Sequence, residues 1–324
     1  MEKLLEVKNL KVSFFTEEAT IKAVDGIDFS VFKGDALAIV GESGCGKSVT
    51  ALSILNLISP PGKIVGGEIL FKGENILAMP EDKLRAIRGK EISMIFQNPF
   101  TSLNPVFKIG EQISETIEVH ETKKLDKNEL FLRTVKTLEM TGLKSPEKIF
   151  HYYPHMLSGG MQQRAMIAMA LSSNPSLLLA DEPTTALDVT ISSQILELLK
   201  KIKEEFGLSI IIITHNFGIV SEISNKAMVM YLGKAMEFAP TNELIKNPLH
   251  PYTQGLINSI PKLVFGQKKD SRFFSIAGSV HQPEDGFPGC RFYQRCLKRN
   301  PKCLEAEPEF KEIAPGHFVR CFLF

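Results

Sequence analysis

The sequence predicts an α/β fold, a mostly parallel sheet with helices on its faces, followed by a small cysteine-containing extension. Three observations predict it. An apolar run at residues 36–40 leads into a glycine-rich turn and then a helix-like segment at 48–57. From residue 177 onward, short apolar runs alternate with amphipathic segments of helical period. Beyond about residue 247 the composition shifts towards proline, glycine and cysteine and the periodicity fades, which places a boundary there.

Taken in order, residues 4–7, 21–24, 27–31 and 36–40 read as strands, and 41–46 as the glycine-rich turn. Gly66-Gly67 and Gly73 bracket a strand at 68–71, residues 80–88 read as a helix, and 92–96 as a strand. Residues 108–142 hold two amphipathic helices. With little strand pattern from about 90 to 173, that stretch reads as a helical insertion. A strand at 177–180, a helix at 189–205, a strand at 210–214 and a helix at 218–223 follow. A hairpin of 228–231 and 235–238 turns around Gly233 ahead of Pro240. The expected division is 1–246 and 247–324, and no repeat of fixed period is visible.

A length of 324 residues allows about two folding units. Lys plus Arg number 38 against 37 Asp plus Glu, a net charge of +1, which argues against binding nucleic acid by bulk phosphate neutralisation. With 44% hydrophobic and 23% charged residues the chain is too apolar for disorder. It has no run long enough to span a bilayer and no basic-then-apolar secretory leader, so a cytosolic location is expected. Disulfides are rare there. Of five cysteines, Cys45 stands alone, whereas Cys290, Cys296, Cys303 and Cys321 fall in the last 35 residues and read as metal or cluster ligands.

Gly41-Glu42-Ser43-Gly44-Cys45-Gly46-Lys47-Ser48 matches G-x-x-x-x-G-K-[ST]. Glycines let successive backbone N–H groups turn inward around phosphate oxygens. Lys47 supplies a point charge, the Ser48 hydroxyl is a magnesium ligand, and the following helix adds its positive N-terminal end. Cys45 reads as a small residue that fits a tight turn, the alternative being a reactive thiol whose pKa Lys47 and the amides lower. Residues 177–182, Leu-Leu-Leu-Ala-Asp-Glu, form an apolar strand ending in two carboxylates. Asp181 is placed to hold magnesium and Glu182 to polarise an attacking water. Leu157-Ser158-Gly159-Gly160-Met161-Gln162-Gln163-Arg164 opens a strong helix with bare backbone N–H groups. This is a second anion-binding terminus, and one nucleotide has no use for two on one chain. A head-to-tail dimer resolves this, with the turn capping the γ-phosphate held by the partner. His215 follows an Ile-rich strand, at the carboxyl edge where parallel sheets bind ligands.

In order and spacing, these motifs with Ala186-Leu187-Asp188 and His215 resemble the ATPases of ABC transporters over about residues 4–245. The resemblance implies a P-loop NTPase cassette with a helical subdomain and an antiparallel β subdomain, binding ATP and Mg2+. It implies that Gln97 links magnesium and water to the membrane-subunit contact, that Asp188 sits across the dimer seam, and that His215 contacts the γ-phosphate. Phe14 is similar to the aromatic that stacks on adenine; its other reading is a core strand residue. Met161 stands where glutamine is usual in the family.

Residues 97–105, Gln-Asn-Pro-Phe-Thr-Ser-Leu-Asn-Pro, resemble the segment after the glutamine in importers of oligopeptides, dipeptides and nickel, where Phe100 would help receive a short helix of a membrane subunit. Asn247-Pro248-Leu249-His250-Pro251-Tyr252-Thr253 and Ser259-Ile260-Pro261 resemble that subfamily's extension, most closely in peptide permeases. The tail cysteines resemble the four-cysteine [4Fe–4S] site of some of these ATPases, with zinc or free buried thiols as alternatives. Arg291, Arg295, Lys298, Arg299 and Lys302 read as a solvated face or a contact with the partner ATPase or lipid, and His317 as a packing or capping residue. The expected function is the motor of a peptide importer, with a nickel importer or a non-transport ABC ATPase as alternatives. Expected partners are a second, related ATPase subunit, two membrane permeases and, indirectly, an extracytoplasmic peptide-binding protein, with no nucleic acid. The expected place is the cytoplasmic face of the cell membrane, peripherally bound.

Overall fold

The computed structural model describes residues 2–185, 187–260, 276–280 and 286–324. The chain folds as two compact units. Ala186 and Pro261, each part of a motif noted above, lie outside the described residues.

One unit comprises Met1–Leu5, Val31–Ala36 and Phe71–Ile213. Its centre is a run of parallel strands, Ile92–Ile95, Leu177–Asp181 and Ser209–Thr214, with Ile92 opposite Leu177 and Leu177 opposite Ser209. All three strands are buried throughout, as unbroken apolar runs require when both faces of a parallel sheet are covered. The helical insertion contributes Pro99–Ser102, Ile109–His120, Lys127–Met140, Pro146–Phe150 and Gly159–Leu171. It closes on its own core, including Ile109, Ile113, Ile117, Leu138, Leu157 and Ala165. Asp126 starts the Lys127–Met140 helix by accepting from the N–H groups of Asn128 and Glu129, both at 2.8 Å. The long helix Val189–Phe206 ends on Gly207 at φ 63°, the left-handed cap that glycine adopts without strain.

The other unit comprises Glu6–Ser30, Leu37–Leu70 and Thr214–Phe324. Strands Thr20–Phe32, Lys3–Phe15 and Gly62–Phe71 lie side by side in that order. The two strands expected at 21–24 and 27–31 are one, with Gly26 at φ 79° inside it. Strand Ala36–Val40 runs parallel to Lys226–Tyr231, which forms the expected hairpin with Lys234–Pro240.

The tail holds regular elements although its sequence periodicity fades. Helix Pro251–Asn258 opens it, and Phe310–Ala314 and His317–Arg320 form a hairpin near its end. His317–Arg320 pairs antiparallel with Lys234–Pro240, Glu237 opposite Val319, so the extension continues a sheet begun before residue 247. Two four- or five-residue strands are too short to declare a period. Among the described residues no helix is long and apolar enough to cross a membrane.

Candidate active site

In the second unit, the buried strand Ala36–Val40 delivers the chain into the phosphate loop, and helix Lys47–Ile54 leaves it. The loop needs two of its glycines for space. A Cβ on Gly41 would stand 2.3 Å from the Met230 carbonyl oxygen and 2.7 Å from Cys45 Sγ. One on Gly46, at φ 102°, would stand 2.2 Å from the Ala23 carbonyl oxygen. Lys47 is buried, and its ammonium donates to the carbonyl oxygens of Gly41 at 2.8 Å and Glu42 at 2.9 Å. Ser48 lies one residue further along the helix start.

At Cys45 the structure agrees with the small residue in a tight turn and goes against the alternative of an activated thiol. Burial dominates and pushes its pKa up, outweighing the opposing pull of Lys47, and only 1% of the residue is exposed.

Glu42 turns out to be a junction. Its carboxylate takes a two-pronged ion pair from Arg295, at 2.6 and 3.0 Å, and its N–H donates to the Tyr252 hydroxyl at 3.0 Å. Tyr252 is fully buried and packs edge-on against Tyr231, 4.7 Å between ring centroids. Its helix is capped by His250, whose Nδ1 accepts from the Tyr252 N–H at 3.0 Å. Burial pushes the His250 pKa down to about 3, so the ring is neutral and able to accept. Glu237, wholly buried, accepts from the N–H groups of Leu249 and His250 at 2.8 and 2.9 Å and from His317 Nε2 at 2.7 Å.

The expected solvated basic face is therefore corrected in part. The Arg295 side chain is 6% exposed on Glu42, and Arg291 is 10% exposed on Asp25 at 2.7 Å. Burial tends to raise the Asp25 carboxyl, but Lys234 and then Arg291 outweigh it and hold it below its ordinary value. Only Lys298, Arg299 and Lys302 stay towards the surface. The sequence carried one signal of this: an acidic residue inside an anion-binding loop requires a counter-charge.

In the first unit, Asp181 ends the buried strand Leu177–Asp181, and Glu182 follows at φ 46°, a left-handed conformation uncommon for glutamate. Glu182 N–H donates to the Ile213 carbonyl at 2.9 Å. Its Oε2 accepts from Gln97 Nε2 at 3.1 Å and from Thr185 Oγ1 at 2.9 Å, so the structure brings Gln97 and Glu182 together and adds Thr185. Ser158 caps helix Gly159–Leu171, its Oγ accepting from Met161 N–H at 3.4 Å. The two glycines are thus the first residues of the helix rather than a turn before it. A Cβ on Gly160 would come within 2.9 Å of Ile191. Asp188 caps Val189–Phe206 by accepting from Ile191 N–H at 2.9 Å.

His215, in the second unit, is exposed immediately after strand Ser209–Thr214. Phe14 is half-buried with its ring edge against Gly62, and the neighbouring Phe15 is 51% exposed. Asp181 and Gln97 in the first unit, and Ser48 in the second, each carry a side-chain oxygen, the donor type that magnesium prefers.

The four tail cysteines are free thiols, and Cys290, Cys303 and Cys321 are buried. Cys290 N–H donates to the Cys303 carbonyl at 2.8 Å. Burial, and then the neighbouring Cys303, Cys321 and Cys296, push the Cys290 thiol up to about 12. Among the described residues, however, no three His, Cys, Asp or Glu side chains are grouped as ligands of one metal ion. The expected cluster or zinc site is therefore not supported among the described residues.

Residues 24–185 match the ABC transporter family model, and residues 236–303 match the oligopeptide/dipeptide transporter C-terminal region. The chain is 49% identical to the oligopeptide transport ATP-binding protein AppD of Bacillus subtilis (strain 168), over 100% of this chain and 98% of that protein. It is 43% identical to the dipeptide transport ATP-binding protein DppD of the same organism, over 100% of this chain and 95% of that protein. Among solved structures, the dimeric bacterial ABC transporter cassette MJ0796 aligns with a TM-score of 0.67 at 28% identity, over 74% of this chain and 99% of that chain.

Proposed function

We propose, from the premise that this chain belongs to the ABC transporter family, that it is the ATP-hydrolysing motor subunit of a peptide importer. Its fold is the ABC ATP-binding cassette. The observation that carries the reading is its likeness, from end to end, to peptide-transport ATP-binding proteins, tail region included. A nickel importer is less well supported, since these relatives are named for peptides.

In this reading residues 41–48 wrap the phosphates, with Lys47 as the point charge and Phe14 stacking on adenine. Ser48, Gln97 and Asp181 would hold Mg2+, which neutralises charge on the phosphates. Glu182 accepts a proton from the attacking water as it bonds to the γ-phosphorus and the bond to the β-phosphate oxygen breaks, releasing ADP. Gln97, hydrogen-bonded to the same carboxylate, orients that water, and His215 contacts the γ-phosphate. Ser158, Gly159 and Gly160 cap the γ-phosphate held by a second, related ATPase subunit, and Asp188 lies across that seam. ATP binding closes the pair and hydrolysis reopens it.

Residues 1–246 act as the cassette and 247–324 as a peptide-permease extension. The assembly includes two membrane permeases at the cytoplasmic face of the membrane, and an extracytoplasmic binding protein delivers the peptide. A [4Fe–4S] cluster on Cys290, Cys296, Cys303 and Cys321, or zinc in its place, is a finer reading supported only by four neighbouring free thiols. Iron and sulfide analysis of anaerobically purified protein tests it, and metal-free thiols would remove it.

Glu182→Gln tests the motor. It deletes the proton acceptor at constant size, so turnover should fall by a factor of about a hundred or more while ATP binding persists. Near-normal hydrolysis would refute the assignment.

A further inference from the structure

We propose that Arg295 and Tyr252 are positioning residues of the ATP site, setting Lys47 through Glu42. The inference rests on the ATPase reading and deepens it. Lys47 takes its direction from two carbonyl oxygens, and one of them belongs to Glu42. What fixes those carbonyls is therefore a question about Glu42, whose N–H shares a peptide plane with the Gly41 carbonyl, and the structure answers it at the N–H and at the side chain. On the N–H side, Tyr252 Oη accepts at 3.0 Å. On the side chain, the Arg295 guanidinium spans both carboxylate oxygens. The Tyr252 bond holds the Gly41–Glu42 peptide plane, which carries the Gly41 carbonyl, and the Arg295 fork holds the Glu42 side chain and so the Cα from which the second carbonyl departs; Lys47 is aimed by residues more than 200 positions away.

The clamp is itself held. Arg295 Nε donates to the Ala277 carbonyl at 3.1 Å, and its guanidinium lies 5.8 Å from the Tyr231 ring centroid. Tyr252 is anchored by the neutral His250 cap, and His250 and Leu249 are anchored by Glu237. A second effect accompanies the geometric one. Glu42 places a negative charge in a loop built to receive negative phosphates, and Arg295 neutralises it. Removing Arg295 frees the Glu42 side chain and bares that charge, and both changes oppose ATP.

The test is titration of ATP onto the full-length chain, followed by direct binding and separately from turnover. Arg295→Gln should raise the ATP Kd about tenfold, the effect of one uncompensated charge near the phosphates. In a Glu42→Gln background, where there is no charge to bare, the same substitution should change Kd by less than about threefold. Arg295→Lys, which keeps the charge and loses the fork, should fall between wild type and Arg295→Gln. Tyr252→Phe keeps the ring and removes the acceptor of the Glu42 N–H. It should raise Kd about threefold, and it carries the test if Arg295→Gln does not fold. Wild-type affinity in both Arg295→Gln and Tyr252→Phe, or an equal loss from Arg295→Gln in both Glu42 backgrounds, overturns the inference and leaves the ATPase reading standing. A wild-type chain that binds no ATP overturns both.

Discussion

Glu237→Gln should loosen the start of the tail by an amount that the hydrogen bonds define. The carboxylate is wholly buried and accepts three hydrogen bonds, at 2.8 Å from Leu249 N–H, 2.9 Å from His250 N–H and 2.7 Å from His317 Nε2. An amide of the same size keeps only one acceptor oxygen. Oε1 serves Leu249 and His317 and Oε2 serves His250. The less costly placement therefore keeps the amide oxygen at Oε1 and turns its NH2 against the His250 N–H. That leaves a buried donor unsatisfied, at about 1–3 kcal/mol. The two surviving bonds lose their charge assistance, at about 0.5–1 kcal/mol each. Relief from burying a charge offsets part of this, for a net loss of about 2–3 kcal/mol. Hydrogen exchange read by mass spectrometry checks it locally: amides at 249–252 should lose protection by a factor of about a hundred. Unchanged exchange there, or a stability change below about 0.5 kcal/mol in urea, would show that Glu237 does not hold this turn.

The same turn predicts a pH dependence. His250 titrates near 6.5 when unfolded and near 3 when folded, so between those values the unfolded chain binds the extra proton. Its contribution is complete above about pH 6.5 and is lost as pH falls towards 3, at no more than about 1.4 kcal/mol per pH unit. Urea midpoints from pH 7 to 4 should fall, and His250→Asn should flatten that slope; an unchanged slope would refute the assignment. In the phosphate loop, Gly46→Ala should abolish ATP binding, because its Cβ meets the Ala23 carbonyl at 2.2 Å. Gly44→Ala, at φ 77° with nothing within 4 Å, should cost only about 1 kcal/mol of backbone strain. Equal behaviour of the two variants in an ATP-binding and thermal-melt comparison would contradict the steric reading.

What could be read from the sequence divides along physical lines. Leu177–Asp181 and Ser209–Thr214 are unbroken apolar runs, and such runs declare a strand covered on both faces. The phosphate loop declares itself because its glycines and lysine sit at fixed spacing, and the paired helices at 109–140 declare themselves by period. The Arg295–Glu42 pair is different. Its partners are 253 residues apart, and no local pattern distinguishes an arginine bound for a buried carboxylate from one bound for water. Burial also decides between the two readings of Cys45. The loop motif locates its sulfur near Lys47, but only the fold reveals that desolvation outweighs that charge. The tail strands escaped notice because His317–Arg320 has only four residues and takes its stability from pairing with Lys234–Pro240. Thr185 was passed over because its role, a hydroxyl on the Glu182 carboxylate, depends on a tight turn rather than on spacing.

The left-handed backbone at Glu182 sets stability against chemistry at one residue. A φ of 46° costs a glutamate on the order of 1 kcal/mol that glycine would not pay and asparagine would largely avoid. Selection for robustness alone would therefore drift towards those residues and discard the carboxylate. If Glu182 is the proton acceptor proposed above, selection for turnover retains the strained residue and tolerates it through the bonds to Ile213, Gln97 and Thr185. The position is thus one where an engineer relieving backbone strain for an easy gain in melting temperature would remove the residue on which the proposed chemistry turns.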